Sequence, residues 1–321
     1  MSQEDPVGRL IGFGPPTLGP SEVCVRAGVD REVGDALWRA LGFPDVPEGV
    51  LAYTEEDARA LRLATEGLEE LEPEVRAEAL QLILQEARVL SAHLAALAAT
   101  ELDAMAALEA RGLRRRLIEQ ATQHGLEGSD LEWLITYALR RQLGAVARRE
   151  SNGGLDPAQV GDEFCIGFVD LSEFTVLSTR AELDAIGSLL HTFESLVFDV
   201  IAETPGRVVK LIGDEVMFVC PECGDAARAA LQILDGGANL GLPPARGGLA
   251  EGRVLRQGGD YFGPPVNRAS RITEIASPGT VLVDDAVRAG LAGMDDLHVE
   301  PAGERRLKGL GAVPLYRVTG R

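Results

Sequence analysis

The hydrophobic period of this chain changes once, and that change excludes a single uniform fold. After Pro73, apolar residues recur at about 3.5-residue spacing through Leu80, Leu84, Ala87, Leu90, Leu94, Leu97, Leu102, Met105 and Leu108. The spacing predicts one long helix whose stripe is either buried in a bundle or set at a subunit interface. Gly112 breaks it. Beyond Ser151-Asn-Gly-Gly the apolar residues gather instead into short, β-branched runs bounded by turn residues. A helical domain over residues 1–150, a linker over 151–163 and a mixed domain over 164–321 are therefore expected.

In the first part, helices are expected at Ser21–Ala27, Asp30–Leu41 and Thr54–Leu63, then from Pro73, at Leu113–Gln123 and at Asp130 to about Arg149. Pro73 suits a first helical turn, and Thr54 with Asp57 has capping-box spacing. The first three helices resemble a helix-turn-helix, which makes a transcription regulator one alternative. Glu22–Arg62 carries nine acids against five bases, so a small packing unit is preferred. In the second part, strands are expected at Phe164–Val169, Gly247–Leu255, Gly279–Val283 and Pro314–Val318. Helices are expected at Ala181–Ala202, Gly224–Leu234, Val266–Ile272 and Asp284–Leu291. VVKLIGDEVMFV, residues 208–219, reads as a hairpin turning at Gly-Asp. This order gives an α+β sheet with helices on one face.

Charge narrows the partners. The net charge is −19, of which −13 lies on residues 1–163 and −6 on the rest. Both parts repel a phosphate backbone, so no nucleic-acid partner is expected. The longest uncharged helical run, Val89–Thr100, is too short for a bilayer, so no membrane span is expected. MSQEDPVGRL has acids where a secretion signal carries bases, which predicts a cytoplasmic location. Cys220-Pro-Glu-Cys223 has half of a zinc spacing with no second half, and reads as two thiols at a strand end.

Two groups of residues carry chemistry. Asp170 ends the first strand and Asp214 sits in the hairpin turn. If those elements are neighbours, both carboxylates reach one sheet edge and suit magnesium or manganese on phosphates. A helix directly after Asp170 would aim N–H groups at an anion. Lys210 interrupts an apolar strand, although lysine occurs only twice in the chain. The second group is GGDYFGPPVNRASRIT, where Asn267 and Arg271 share a helix face and suit a ribose and a phosphate. Lys308 lies in a basic loop, RRLKGL.

From Phe164 to the C-terminus these motifs resemble the catalytic domain of class III nucleotidyl cyclases. The resemblance implies a ferredoxin-like α+β core and a homodimer whose active sites are shared between subunits. It also implies that Asp170, Asp214 and the Leu171 backbone carbonyl hold two magnesium or manganese ions. Lys210 and Asp260 would read adenine, which implies ATP as substrate, because guanylyl cyclases carry other residues there. Asn267 would orient the ribose, Arg271 would stabilise the pentavalent phosphorus and Lys308 would hold the terminal phosphates. A diguanylate cyclase is an alternative on Ile212-Gly-Asp-Glu-Val216, but it leaves Asp260, Asn267, Arg271 and Lys308 unexplained.

GVDREVGDALWRALGFPD, YTEEDARALRLA and the helix after Pro73 resemble the regulatory domain of two-domain actinobacterial adenylyl cyclases. That implies an all-α domain that inhibits the cyclase until acid pH relieves it, with residues 130–150 as coupling helix. His93, His124, His191 and His298, or carboxylate pairs in the acidic half, are the candidate proton sensors.

Overall fold

A computed structural model describes residues 15–124, 128–153, 162–172, 174, 177, 179 and 182–321. The chain divides into two compact units, Met1–Gly144 and Ala145–Arg321.

The first unit is helical. Its elements are α1 (Pro20–Ala27), α2 (Arg31–Ala40), α3 (Glu55–Thr65), α4 (Pro73–Ala110) and α5 (Arg114–Gln123). A sixth helix, α6 (Gly128–Gly153), continues past the unit boundary. Gly28 turns α1 into α2 in the left-handed region at φ 74°. Thr54 and Asp57 cap α3 reciprocally, each side chain accepting from the other's backbone N–H. Val23, Leu37, Trp38, Tyr53, Ala58 and Leu61 close a core against Leu84 of α4. The α1–α3 segment is thus a packed unit with its own core. Only the first half of the α4 stripe joins it: Leu80 and Ala87 pack on that core, whereas Leu90, Leu94, Leu97 and Leu102 are exposed.

The second unit is α+β. Its elements are β1 (Asp162–Leu171), α7 (Leu183–Ala202), β2 (Arg207–Ile212), β3 (Glu215–Cys220), α8 (Cys223–Asn239), β4 (Ala245–Gln257), β5 (Asp260–Phe262), α9 (Pro264–Ile275), β6 (Val281–Val283), α10 (Asp285–Gly290), β7 (Leu297–Leu307) and β8 (Gly311–Gly320). The strands form one sheet in the order β2-β3-β1-β4-β6-β8-β7, with β5 paired to β4 alone. β1 lies antiparallel to both β3 and β4, so β1-α7-β2-β3-α8-β4 is a ferredoxin-like core.

The helices cover both faces of the sheet, not one as the element order predicted. Cys165, Val169 and Phe218 face α7, α8 and α10, while Phe164, Ile166, Phe168 and Met217 face α9. α9 lies close on the second face because Ala269 and Thr273 meet glycine on β4, while Ile272 fills the apolar layer beside them. A Cβ on Gly248 would lie 2.4 Å from the Thr273 nitrogen and 2.6 Å from the Ala269 oxygen.

β5 and β7 were not expected from the sequence. The helix expected after Asp170 falls on residues mostly outside the described ones, as do residues 154–161 of the linker. Ser151–Gly153 is helical, as part of α6. Two helices, α4 and α7, are long and apolar enough to cross a membrane by length and composition. In α7 that surface includes Phe193, Val197 and Ile201 of the core.

Candidate active site

Sheet register gathers the predicted residues into three groups. The first is acidic. Asp170 on β1 stands opposite Glu215 of β3 on one side and Arg246 of β4 on the other. Asp214 lies in the β2–β3 turn behind Gly213, and its carbonyl accepts the Leu171 N–H at 3.1 Å, which fixes the backbone that follows Asp170. Nε and Nη2 of Arg246 both donate to Oδ2 of Asp170, at 2.8 and 2.7 Å, and Nη1 donates to the Glu274 carbonyl at 2.8 Å. Nε and Nη2 of Arg246 therefore converge on a single oxygen of Asp170. Burial pushes the Asp214 carboxyl up, reinforced by the Asp170 charge beside it. Burial also raises Glu215 to about 7, with the charges of Asp170, Asp214 and Glu274 adding to the rise.

Adjacent carboxylates with raised pKa values are short of positive charge. Hard oxygen donors at such a place fit a divalent cation, so the carboxylates of Asp170 and Asp214 and the Leu171 backbone suit the ions that the sequence implied. Among the described residues, no group of three or more His, Cys, Asp or Glu side chains is placed to hold a metal.

The second group is an ion pair between β2 and β5. Lys210 projects from β2 on the α9 face, and its Nζ lies 2.5 Å from Oδ2 of Asp260 at the start of β5. Asp260 Oδ1 accepts the Tyr261 N–H at 2.8 Å. The third group lies on α9 and the β7–β8 turn. Arg271 donates through Nη1 to the Lys308 carbonyl, and Asn267 is exposed one turn earlier. Arg268 anchors this helix on the buried Asp284 at 2.8 Å, and Asp284 also caps α10 by accepting the Val287 N–H. Among the described residues, no hydrogen bond or ion pair joins Asp170 or Asp214 to Lys210, Asp260, Asn267, Arg271 or Lys308.

No protein-family profile matches the chain. An adenylate cyclase of Streptomyces coelicolor is 36% identical over 274 residues, spanning 83% of this chain and 70% of that protein. A pH-sensitive adenylate cyclase of Mycobacterium tuberculosis is 32% identical over 339 residues, spanning 96% of this chain and 80% of that one. The chain belongs to the class III adenylate cyclase family. One solved structure, the catalytic core of a rhodopsin-guanylyl cyclase with converted specificity in complex with ATPαS, is similar at 24% identity. It spans 50% of this chain and 97% of its own, with a TM-score of 0.47.

The cyclase also holds residues that the sequence reading passed over. Arg246 is the main one. Its only local signal is an arginine at the head of the small and apolar run Gly247–Ala250. Cys165, Cys220 and Cys223 of the cyclase are free and buried, and burial raises the Cys220 thiol to about 12, as inert core thiols require. The four histidines are all exposed.

Proposed function

We propose that this cyclase converts ATP to 3′,5′-cyclic AMP and pyrophosphate at sites shared between two copies of the chain. The observation that carries the choice of ATP is the Lys210–Asp260 pair. Adenine presents an amino donor and a ring-nitrogen acceptor side by side, which a carboxylate and an ammonium complement. Guanine presents the reverse polarity there, so Asp260 would face an oxygen and repel it.

Asp170 and Asp214, with the Leu171 carbonyl, would hold two magnesium or manganese ions. When bound, such ions acidify the 3′-hydroxyl and offset phosphate charge. Arg246, now on Asp170, would be released toward the phosphates once cations neutralise that carboxylate. Asn267 would orient the ribose, and Arg271 would supply positive charge as the α-phosphorus becomes five-coordinate. Lys308 would hold the leaving pyrophosphate. Among the described residues, no hydrogen bond or ion pair joins the acidic group to the other two within one chain, as expected if a second copy completes the site head to tail.

The helical part is proposed to restrain the cyclase and to release it at acid pH. Neither apolar helix is read as a membrane span, because α7 faces the core and the uncharged run of α4 is only about 18 Å long.

Purified protein incubated with manganese and either nucleotide tests the activity. Cyclic AMP from ATP is expected, falling by about a hundredfold or more in Asp170→Ala. Turnover of GTP in preference to ATP would contradict the base assignment. Regulation is tested by comparing the full chain with residues 145–321 between about pH 5.5 and 8, a window set by histidine and raised carboxylates. Identical rates and pH profiles would remove the inhibitory role.

A further inference from the structure

Asp260 occupies a poorly supported position for a residue that must select a base. It follows the turn Gly258-Gly259, whose φ values of 59° and 79° are both left-handed. Two successive glycines give that turn little rigidity of their own. β5, which Asp260 begins, has three residues and pairs only with β4. Lys210 lies on β2, at the far edge of the ferredoxin-like core, and no strand ladder joins β2 to β5.

Besides the Lys210–Asp260 pair itself, an arginine spans that gap. Arg207 begins β2, one strand turn before Lys210. Its Nη2 donates to the Gly259 carbonyl at 3.0 Å, and its Nε donates to the Tyr261 hydroxyl at 3.3 Å. Its guanidinium carbon lies 4.9 Å from the Tyr261 ring centroid. The contacts fall on residues 259 and 261, on either side of Asp260. Tyr261 is buried, meets Phe164 edge-on at 5.5 Å, and gives its N–H to Asp260 Oδ1. The carboxylate is thereby turned so that Oδ2 faces Lys210.

We propose that Arg207 is a positioning residue for nucleotide specificity, latching the β4–β5 turn to β2 so that Asp260 meets the base at a fixed place beside Lys210. The proposal presupposes that Lys210 and Asp260 read the base. A carboxylate free to drift can still accept a hydrogen bond, including one from the guanine ring N–H. Loss of the latch should therefore relax discrimination more than it slows turnover.

The test is steady-state kinetics of the full chain with ATP and with GTP, in manganese. In Arg207→Gln the ratio of kcat/KM for ATP to that for GTP should fall by about tenfold, mainly through a higher KM for ATP. Arg207→Lys, which keeps one donor for the Gly259 carbonyl, should fall between that variant and the wild type. Tyr261→Phe keeps the ring and loses one acceptor, so its ratio should move the same way by a smaller factor. Equal losses for the two nucleotides, or an unchanged ratio, in Arg207→Gln would overturn the proposal. If Arg207→Gln does not fold, an unchanged ratio in Tyr261→Phe does so instead. Lys210→Ala and Asp260→Ala separate the two failures. If neither shifts the ratio, the base assignment falls and takes the latch with it. If both shift it and Arg207→Gln does not, only the latch falls.

Discussion

At the scale of single residues, the second unit concentrates its unfavourable electrostatics in one place. Glu215 sits next to Asp214 and opposite Asp170, and its carboxyl is raised from 4.5 to about 7 by burial and by those neighbours. In the metal-free protein the folded state then keeps a proton that the unfolded chain releases above about pH 4.5. Stability must fall as pH rises through that window. Glu215→Gln should raise the melting free energy at pH 8 by roughly 1 kcal/mol, a value discounted for the partial exposure of the group, and should change little at pH 4. Thermal melts in chelator at the two pH values check this. An equal effect at both would mean that Glu215 is not held neutral. The aspartates, lysines and the Asn/Arg pair stand out as candidates in the sequence because each sits in a short motif. Arg246 and Arg207 were not, because their partners lie 76 and 52 residues away and only the register brings them together.

At the scale of elements, α9 controls the geometry of the third group. It lies against β4 at Gly248, is tied to Asp284 through Arg268, and carries Asn267 and Arg271 on its outer side. Gly248→Ala puts a methyl group against the helix backbone, where no side chain can yield. A loss of about 1–3 kcal/mol is expected by denaturant titration, together with a fall in kcat larger than any rise in KM. Normal stability and normal kcat would show that the close approach does not matter. In the helical unit, Thr54→Ala removes the acceptor at the start of α3 and should cost about 1 kcal/mol. Denaturant titration reads this, and a loss near zero would show that the cap contributes nothing. Periodicity located most helices because each carries a continuous apolar face. It missed β7, whose fully buried residues are only Leu297 and Leu307 at its two ends, with Pro301, Gly303 and charged residues between. Its pairing with β8 is a property of the backbone ladder, which side-chain patterning does not record. The face chosen by α9 was likewise hidden, since the close approach of Ala269 and Thr273 to Gly248 is a long-range contact that local pattern does not record.

At the scale of the whole molecule, the proposed shared site would let one hairpin serve two unlike functions. Lys210 and Asp214 are four residues apart, yet Lys210 is engaged by β5, whereas Asp214 belongs with Asp170 at the turn. In a head-to-tail homodimer each chain would give its aspartates to one site and its base-reading pair to the other. Co-expression of Lys210→Ala and Asp214→Ala chains measures this directly. Each variant alone should make cyclic AMP far more slowly than the wild type. Random pairing should make half of the dimers mixed, each with one intact site, so the mixture should recover about a quarter of wild-type cyclic AMP synthesis. A mixture no more active than the two variants alone would contradict a shared site.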